Sequence, residues 1–227
     1  MRLSAKMALQ VGAGDLENVV IVTQPSMRVS GTLKLEKGGA RSFESVAVGL
    51  QANDNGMRGS GGGARAAADG TFVLENVVPD SYDLTIYGLE PDGYVKAMRA
   101  GTIDLFEREL VLGGEGVNLE VEIAANGGKI EGEVTRSGGA AVSGAQVVLM
   151  PISGRNGMIL SKQTVADESG HFLLRGIAPG SYELYSWAEI ENGRWWDAEF
   201  LASVKNRATS LKVEGTATAA VKLTIIE

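Results

Sequence analysis

Cysteine is absent from this 227-residue chain. Disulfides, thiol nucleophiles and Cys-ligated zinc are therefore excluded. Histidine occurs once, as His171, so a Ser-His-Asp or Cys-His relay has one imidazole to draw on and no thiol. Basic charge is also short: 21 Lys and Arg stand against 28 Asp and Glu, for a formal net charge of −7. No Lys/Arg cluster offsets that balance, which argues against nucleic acid or an anionic membrane as the main partner. No apolar run is long enough to insert into a bilayer. The basic start, Met1-Arg2-Leu3-Ser4-Ala5-Lys6, is not followed by the apolar run of about 7–15 residues that a secretory signal needs, because Gln10, Gly12 and Gly14 interrupt it. The chain reads either as unexported or as lacking its natural N-terminus.

What is present is glycine, 31 residues of it against five prolines, set between short apolar runs. Within those runs the period is two: Phe172 and Leu174, Tyr182 and Leu184, and Val221, Leu223 and Ile225 alternate with polar neighbours. That is the signature of half-buried strands joined by tight turns. No segment carries a clear 3.6-residue stripe; Ile103–Leu112 is the nearest helical candidate, and a strand is the favoured reading there.

The chain also repeats itself. Asp69-Gly70-Thr71-Phe72-Val73-Leu74 and Pro79-Asp80-Ser81-Tyr82-Asp83-Leu84 recur, with no shift, as Ser169-Gly170-His171-Phe172-Leu173-Leu174 and Pro179-Gly180-Ser181-Tyr182-Glu183-Leu184. Outward from this block, Arg28–Leu33 matches Lys129–Val134, Val46–Leu50 matches Ala145–Leu149, and Leu119, Val121 and Ile123 match Val221, Leu223 and Ile225. The expected architecture is all-β: two tandem antiparallel β-sandwiches of about seven strands each, over residues 26–127 and 128–227. Residues 1–25 are set apart. Asp15–Thr23 resembles the last strand of a preceding repeat, and without that repeat it is an exposed pairing edge. Residues 52–63, with five glycines, read as a mobile loop. The Lys-Ser/Thr that a phosphate cradle requires does not follow them.

The series Gly132, Ala145-Gln146-Val147-Val148-Leu149, Asp167-Glu168-Ser169-Gly170-His171-Phe172 and Gly176-Ile177-Ala178-Pro179-Gly180-Ser181-Tyr182 resembles the carboxypeptidase regulatory-like domain. The resemblance implies a prealbumin-like sandwich of the starch-binding-like fold, and no peptidase activity. Repeat one departs from the pattern at Asp80, where Pro-Gly is usual, and at Ser45, where Gly-Ala is usual. Tyr182–Leu201 is similar to the C-terminal repeats of long exported proteins of soil bacteria such as Acidobacteria. That likeness implies an extracellular or cell-envelope location.

Each candidate for chemistry has a plain structural alternative. His171 lies beside Phe172 in an alternating strand, so it should point to solvent; its counterpart is Thr71. Asp167-Glu168 and Asp69 could hold calcium or act as an acid/base pair, but they precede a glycine as hairpin turns do. An isopeptide between Lys34 and Asn118 lacks an identifiable buried acid. No metal-spaced cluster appears, and no cofactor is implied.

The remaining lead is aromatic. Trp187, Trp195 and Trp196 are all the tryptophans, gathered around Asn192-Gly193 with Arg194, Asp197 and Glu199. Were the segment a strand, Trp195 and Trp196 would face opposite ways and one indole would be exposed. The expected function is a non-catalytic extracytoplasmic spacer or interaction module. Its partners would be neighbouring domains or proteins. The alternative is a carbohydrate-binding module stacking polysaccharide on Trp187, Trp195 and Trp196, flanked by Arg194 and Asp197.

Overall fold

A computed structural model describes residues 3–5, 7, 9–12, 15, 17–37, 42–54, 57–113, 116–152 and 157–227. The strands in chain order are β1 (Leu3–Ser4), β2 (Gln24–Pro25), β3 (Met27–Leu35), β4 (Ala47–Asp54), β5 (Met57–Arg65), β6 (Thr71–Val77), β7 (Ser81–Tyr87), β8 (Tyr94–Ala100), β9 (Ile103–Asp104), β10 (Leu110–Val111) and β11 (Val117–Ala124). They continue as β12 (Gly128–Thr135), β13 (Gln146–Pro151), β14 (Lys162–Val165), β15 (His171–Ile177), β16 (Gly180–Trp187), β17 (Thr209–Val213) and β18 (Thr218–Thr224). Two short helices interrupt them, α1 (Gly157–Leu160) and α2 (Ala198–Val204). The compact units are Met1–Lys34 with Ala40–Gly88 and Ala97–Val121, and Leu35–Gly39 with Leu89–Lys96 and Glu122–Glu227.

The sequence repeat reappears as a repeat of sheet order. The first sheets run β10-β7-β4-β5 and β6-β3-β11-β8-β9; the second run β17-β16-β13-β14 and β15-β12-β18. Strand for strand the two sets coincide, except that β8 and β9 have no second counterpart. All-β sandwiches result, with one correction to the expected antiparallel pairing: β12 and β18 run parallel, Lys129 opposite Thr218 through Thr135 opposite Thr224.

Period-two patterning fills the cores. On β12 and β15, Ile130, Val134, Phe172 and Leu174 point inward; on β13 and β16, Val147, Leu149, Tyr182 and Leu184 meet them in one buried cluster. Their counterparts Val29, Leu33, Phe72, Leu74, Val48, Leu50, Tyr82 and Leu84 are likewise buried. In both copies the hydroxyl of the inward tyrosine turns back to the chain. Tyr82 donates to the Val78 carbonyl and Tyr182 to the Ala178 carbonyl, each at 2.8 Å. Both copies also share a register shift, between Met27 and Val29 and between Gly128 and Ile130, facing the left-handed Asn76 (φ 57°) and Gly176 (φ 64°). An extra residue on the partner strand is accommodated there in a conformation suited to glycine or asparagine.

One further expectation needs correction, and two other segments find their place. The glycine-rich segment is no loop: β4 and β5 form a hairpin from Ala47 opposite Arg65 to Asp54 opposite Met57. Backbone ladders need no side chains, so glycines can fill them; Asn55 and Gly56 lie outside the described residues. Ile103–Leu112, where a strand outweighs a helix, contains β9 and β10 separated by turns. The expected strand over Asp15–Thr23 joins no sheet in its described part, and Leu16 lies outside the described residues.

Candidate functional site

The tryptophans stand on the outer face of sheet β14-β13-β16-β17. A strand whose inner face fills one core leaves alternate residues on the other side, and here Val148, Met150, Tyr185 and Trp187 are apolar. They require a cover. The segment after Gly193 supplies it as a 3-10 turn, Arg194–Trp196, followed by α2. Asp197 starts the helix: its Oδ1 accepts from the backbone N–H of Glu199 (3.0 Å) and of Phe200 (3.1 Å). Those bonds, with Arg194 next to it, hold the Asp197 carboxyl below its ordinary range, the Phe200 N–H contributing most.

Under this cover lies a second apolar cluster of Val148, Met150, Tyr185, Trp187, Trp195 and Ile226, with Ile190, Trp196, Phe200, Leu201 and Val204 packed on it. Trp187 stacks on Tyr185 with centroids 5.7 Å apart and planes 6° apart, and meets Phe200 at 6.1 Å. Arg194 Nη1 donates to Asp197 Oδ2 at 2.9 Å while its guanidinium lies 5.0 Å from the Phe200 ring centre. Trp187 and Trp195 are each 4% exposed, and Trp196 is half-buried.

Of the three indoles that the alternative, sugar-stacking reading would use, two are buried in packing. The residues are brought together, but the faces of Trp187 and Trp195 are taken up by packing: Trp187 ends β16 on the covered face, and around Trp195 the backbone is helical, so Trp195 and Trp196 need not point opposite ways. Arg194 and Asp197 serve the cap and the Phe200 contact. Trp187 Nε1 is buried with no hydrogen-bond partner among the described residues.

On the matching face of the first copy, Gly49, Gln51, Thr85 and Tyr87 stand where Val148, Met150, Tyr185 and Trp187 stand in the second. An open hollow of about 550 Å³ is left over Gly49 and Gly63, with Tyr87 at its rim.

The other candidates are turn and surface residues. Asp69 Oδ1 accepts from the Thr71 N–H (3.0 Å) and hydroxyl (2.7 Å). Asp167 Oδ1 accepts from the N–H groups of Ser169 (2.8 Å) and His171 (2.9 Å). Gly70 and Gly170 follow at φ 87° and 78°, so these acids build Asx-type turns. His171 is exposed, with Nδ1 3.9 Å from Asp167 Oδ1. Lys34 and Asn118 both point to solvent, which leaves no isopeptide geometry. Among the described residues, no group of three or more His, Asp or Glu side chains could hold a metal ion. No helix among them is long and apolar enough to cross a membrane.

A feature outside the sequence reading is the outer edge of β18. In the five-stranded sheet β8 lies against β11; in the three-stranded sheet β18 is terminal. Lys129 N–H donates to the Ala217 carbonyl and Ile225 N–H to the Thr135 carbonyl, each at 3.0 Å. Odd-numbered residues of β18 therefore bond β12, and Thr218, Ala220 and Lys222 direct their backbone groups outward. Ala219 and Val221 are only half-buried on the core, whereas Leu119, the counterpart of Val221, is 0% exposed.

No protein-family model matches the chain, and no curated protein matches it. Solved structures similar to it include the Bacillus anthracis TIE protein (10% identity, TM-score 0.32), where the match covers 90% of this chain and 37% of that one. The minor pilin GBS52 of Streptococcus agalactiae matches at 13% identity and TM-score 0.35, covering 88% of this chain and 95% of the pilin. The shaft pilin SpaA of Lactobacillus rhamnosus GG matches at 10% identity and TM-score 0.31, covering 89% and 98%. The chain thus spans little more than a third of the TIE protein. These superpositions are too loose to carry a functional assignment.

Proposed function

We propose that the chain is a non-catalytic structural module, a pair of like sandwiches serving as spacer and interaction unit within a larger extracytoplasmic protein. The observation that carries the reading is where its reactive-looking side chains are spent. Asp69 and Asp167 close turns, Tyr82 and Tyr182 tie corners, and Trp187 and Trp195 fill an outer core. The surface location rests on the sequence resemblance to multi-repeat exported proteins. Carbohydrate binding at Trp187, Trp195 and Trp196 is the weaker reading, since stacking needs open faces and two of the three indoles are buried.

Glycan titrations followed by tryptophan emission, run beside esterase, glycosidase and peptidase assays on repeatedly purified protein, test both readings. A spacer leaves the emission unchanged and shows no turnover. Saturable quenching that Trp196→Ala abolishes would establish the carbohydrate alternative. Turnover that persists through purification would remove the structural reading.

A further inference from the structure

The open β18 edge has a complement on the same chain. Val19-Val20-Ile21-Val22 is a run of four β-branched apolar residues. Val20 is 74% exposed, Ile21 60% and Val22 72%. The segment belongs to no sheet, although β-branched residues favour strands and an apolar strand in water is costly to leave uncovered. At Thr218–Lys222 the converse holds: among the described residues no strand lies on the outward backbone groups, and the core beneath Val221 is incompletely covered.

We infer that residues Val19–Thr23 of one copy add as a strand to the outer edge of β18 in a second copy, linking chains head to tail. The lengths agree, five residues on each side. Ala220 at the centre of the edge imposes no bulk, and Lys222, the one charge along it, would have Glu17 of the incoming segment nearby. The donor is apolar on both faces. Val20 and Val22 can cover the half-buried Ala219 and Val221. Val19 and Ile21 then lie on the outer side with Ala220, beside the open hollow over Gly132 lined by Glu131, Glu133 and Leu173. Donor and edge are different surfaces, so the contact is heterologous and leaves the joined pair with one free donor on one copy and one free edge on the other. Such a contact propagates. It goes beyond the spacer reading, because a spacer need not associate with itself.

One five-residue strand buries less than the roughly 1,200 Å² at which stable interfaces begin, so a single joint is weak. Sedimentation velocity and light scattering on the full chain should therefore span about 1 to 500 µM, the range of weak affinities. Mass is expected to rise with concentration through dimer to longer species. Val20→Lys with Val22→Lys removes the donor. Ala220→Pro removes an outward N–H and leaves the β12 ladder in place, as proline at a free edge does. Each variant alone is expected to remain monomeric across the range. Mixed in equal amounts they should form a heterodimer and nothing larger, because one intact donor meets one intact edge. A wild-type chain that stays monomeric overturns the inference, as does either variant associating as the wild type does.

Should Ala220→Pro fail to fold, a synthetic peptide of residues 17–24 added to isotope-labelled wild-type chain decides instead. Amide shifts confined to Thr218–Lys222 and its neighbours are expected; shifts elsewhere, or none, overturn it. The spacer reading survives either result and fails only on turnover or saturable glycan binding.

Discussion

Trp195→Ala separates a packed outer core from a ligand platform. Trp195 is 4% exposed and enclosed by the apolar cluster over β13 and β16. Removing a fully buried tryptophan costs about 3–5 kcal/mol, the lower figure applying where surroundings can collapse into the gap. A seven-residue helix held by one capping acid can move inward, so the lower end is expected, about 3 kcal/mol. For a unit of this size that corresponds to a fall in Tm of about 12 °C, at about 4 °C per kcal/mol. Tyr87→Ala is the internal control: it occupies the place of Trp187 in the first copy but is 58% exposed, so its effect should stay within about 0.5 kcal/mol. Scanning calorimetry and urea melts read both, and acrylamide quenching should reach Trp187 more readily once Trp195 is gone. Equal small shifts for the two variants would refute the outer core, and the indoles would then have to be treated as surface groups.

Three other outcomes are expected. The Asp197 carboxyl is held below its usual value of 3.8, so its support of α2 is complete above that pH and is lost as pH falls through the lower folded-state value. Acid quenching titrations of Trp187 should show that limb, and Asp197→Asn, which still caps, should lack it. Gly132→Ala would place a methyl group on the Val221 carbonyl oxygen and 2.9 Å from the Phe172 ring, costing about 2–3 kcal/mol, whereas Gly63→Ala meets only ordinary contacts and should be near neutral by urea melting. Tyr182→Phe leaves the Ala178 carbonyl without its donor, about 1–2 kcal/mol in the same melts. Burial pushes the Tyr182 hydroxyl up to about 12, so its contribution fades as pH rises from the ordinary 10 towards that value. Tyr182→Phe should flatten that alkaline limb.

The all-β class and its inward residues were legible because the chain states them twice: each inward Phe, Leu and Tyr of one copy has a partner in the other. Turn acids were readable from Asp set before Gly. The β4–β5 hairpin was not readable, since a glycine-rich ladder offers no side-chain period. Helix α2 is two turns long, too short for a stripe, yet Asp197 followed by Glu199 is a start signal that reading by strands passed over. Strand geometry sends neighbouring side chains apart, so one buried indole of the pair was legible, but not that the other would also pack on the same cluster. The open edge could not be read at all: β11 and β18 carry the same pattern, and what differs is whether a strand comes to lie beside them.

That difference traces to one aligned stretch, Tyr94–Ala100 against Trp195–Leu201. In β8, Lys96 Nζ reaches Glu36 (2.8 Å) and Glu122 (3.1 Å). The aligned positions in the second copy are Asp197, Ser137 and Thr224, so a strand there would carry an acid with no cation to meet. Asp197 instead caps a helix through Ala, Glu, Phe and Leu, all compatible with helix except for the mild aromatic penalty. Packing decides in the same direction. An indole buries about 150–250 Å², so enclosing Trp187 and Trp195 is favourable by about 4 kcal/mol or more each at roughly 25 cal/mol per Å². Cross-strand pairs along a short edge contribute only about 0.2–1 kcal/mol apiece. A chain with tryptophans at these positions therefore gains more by folding the segment over the outer face than by extending it along β18. The unpaired edge is a joint consequence of the outer core and the helix start at Asp197, so weakening the core alone by Trp187→Ala should not close it, since the helix start would remain.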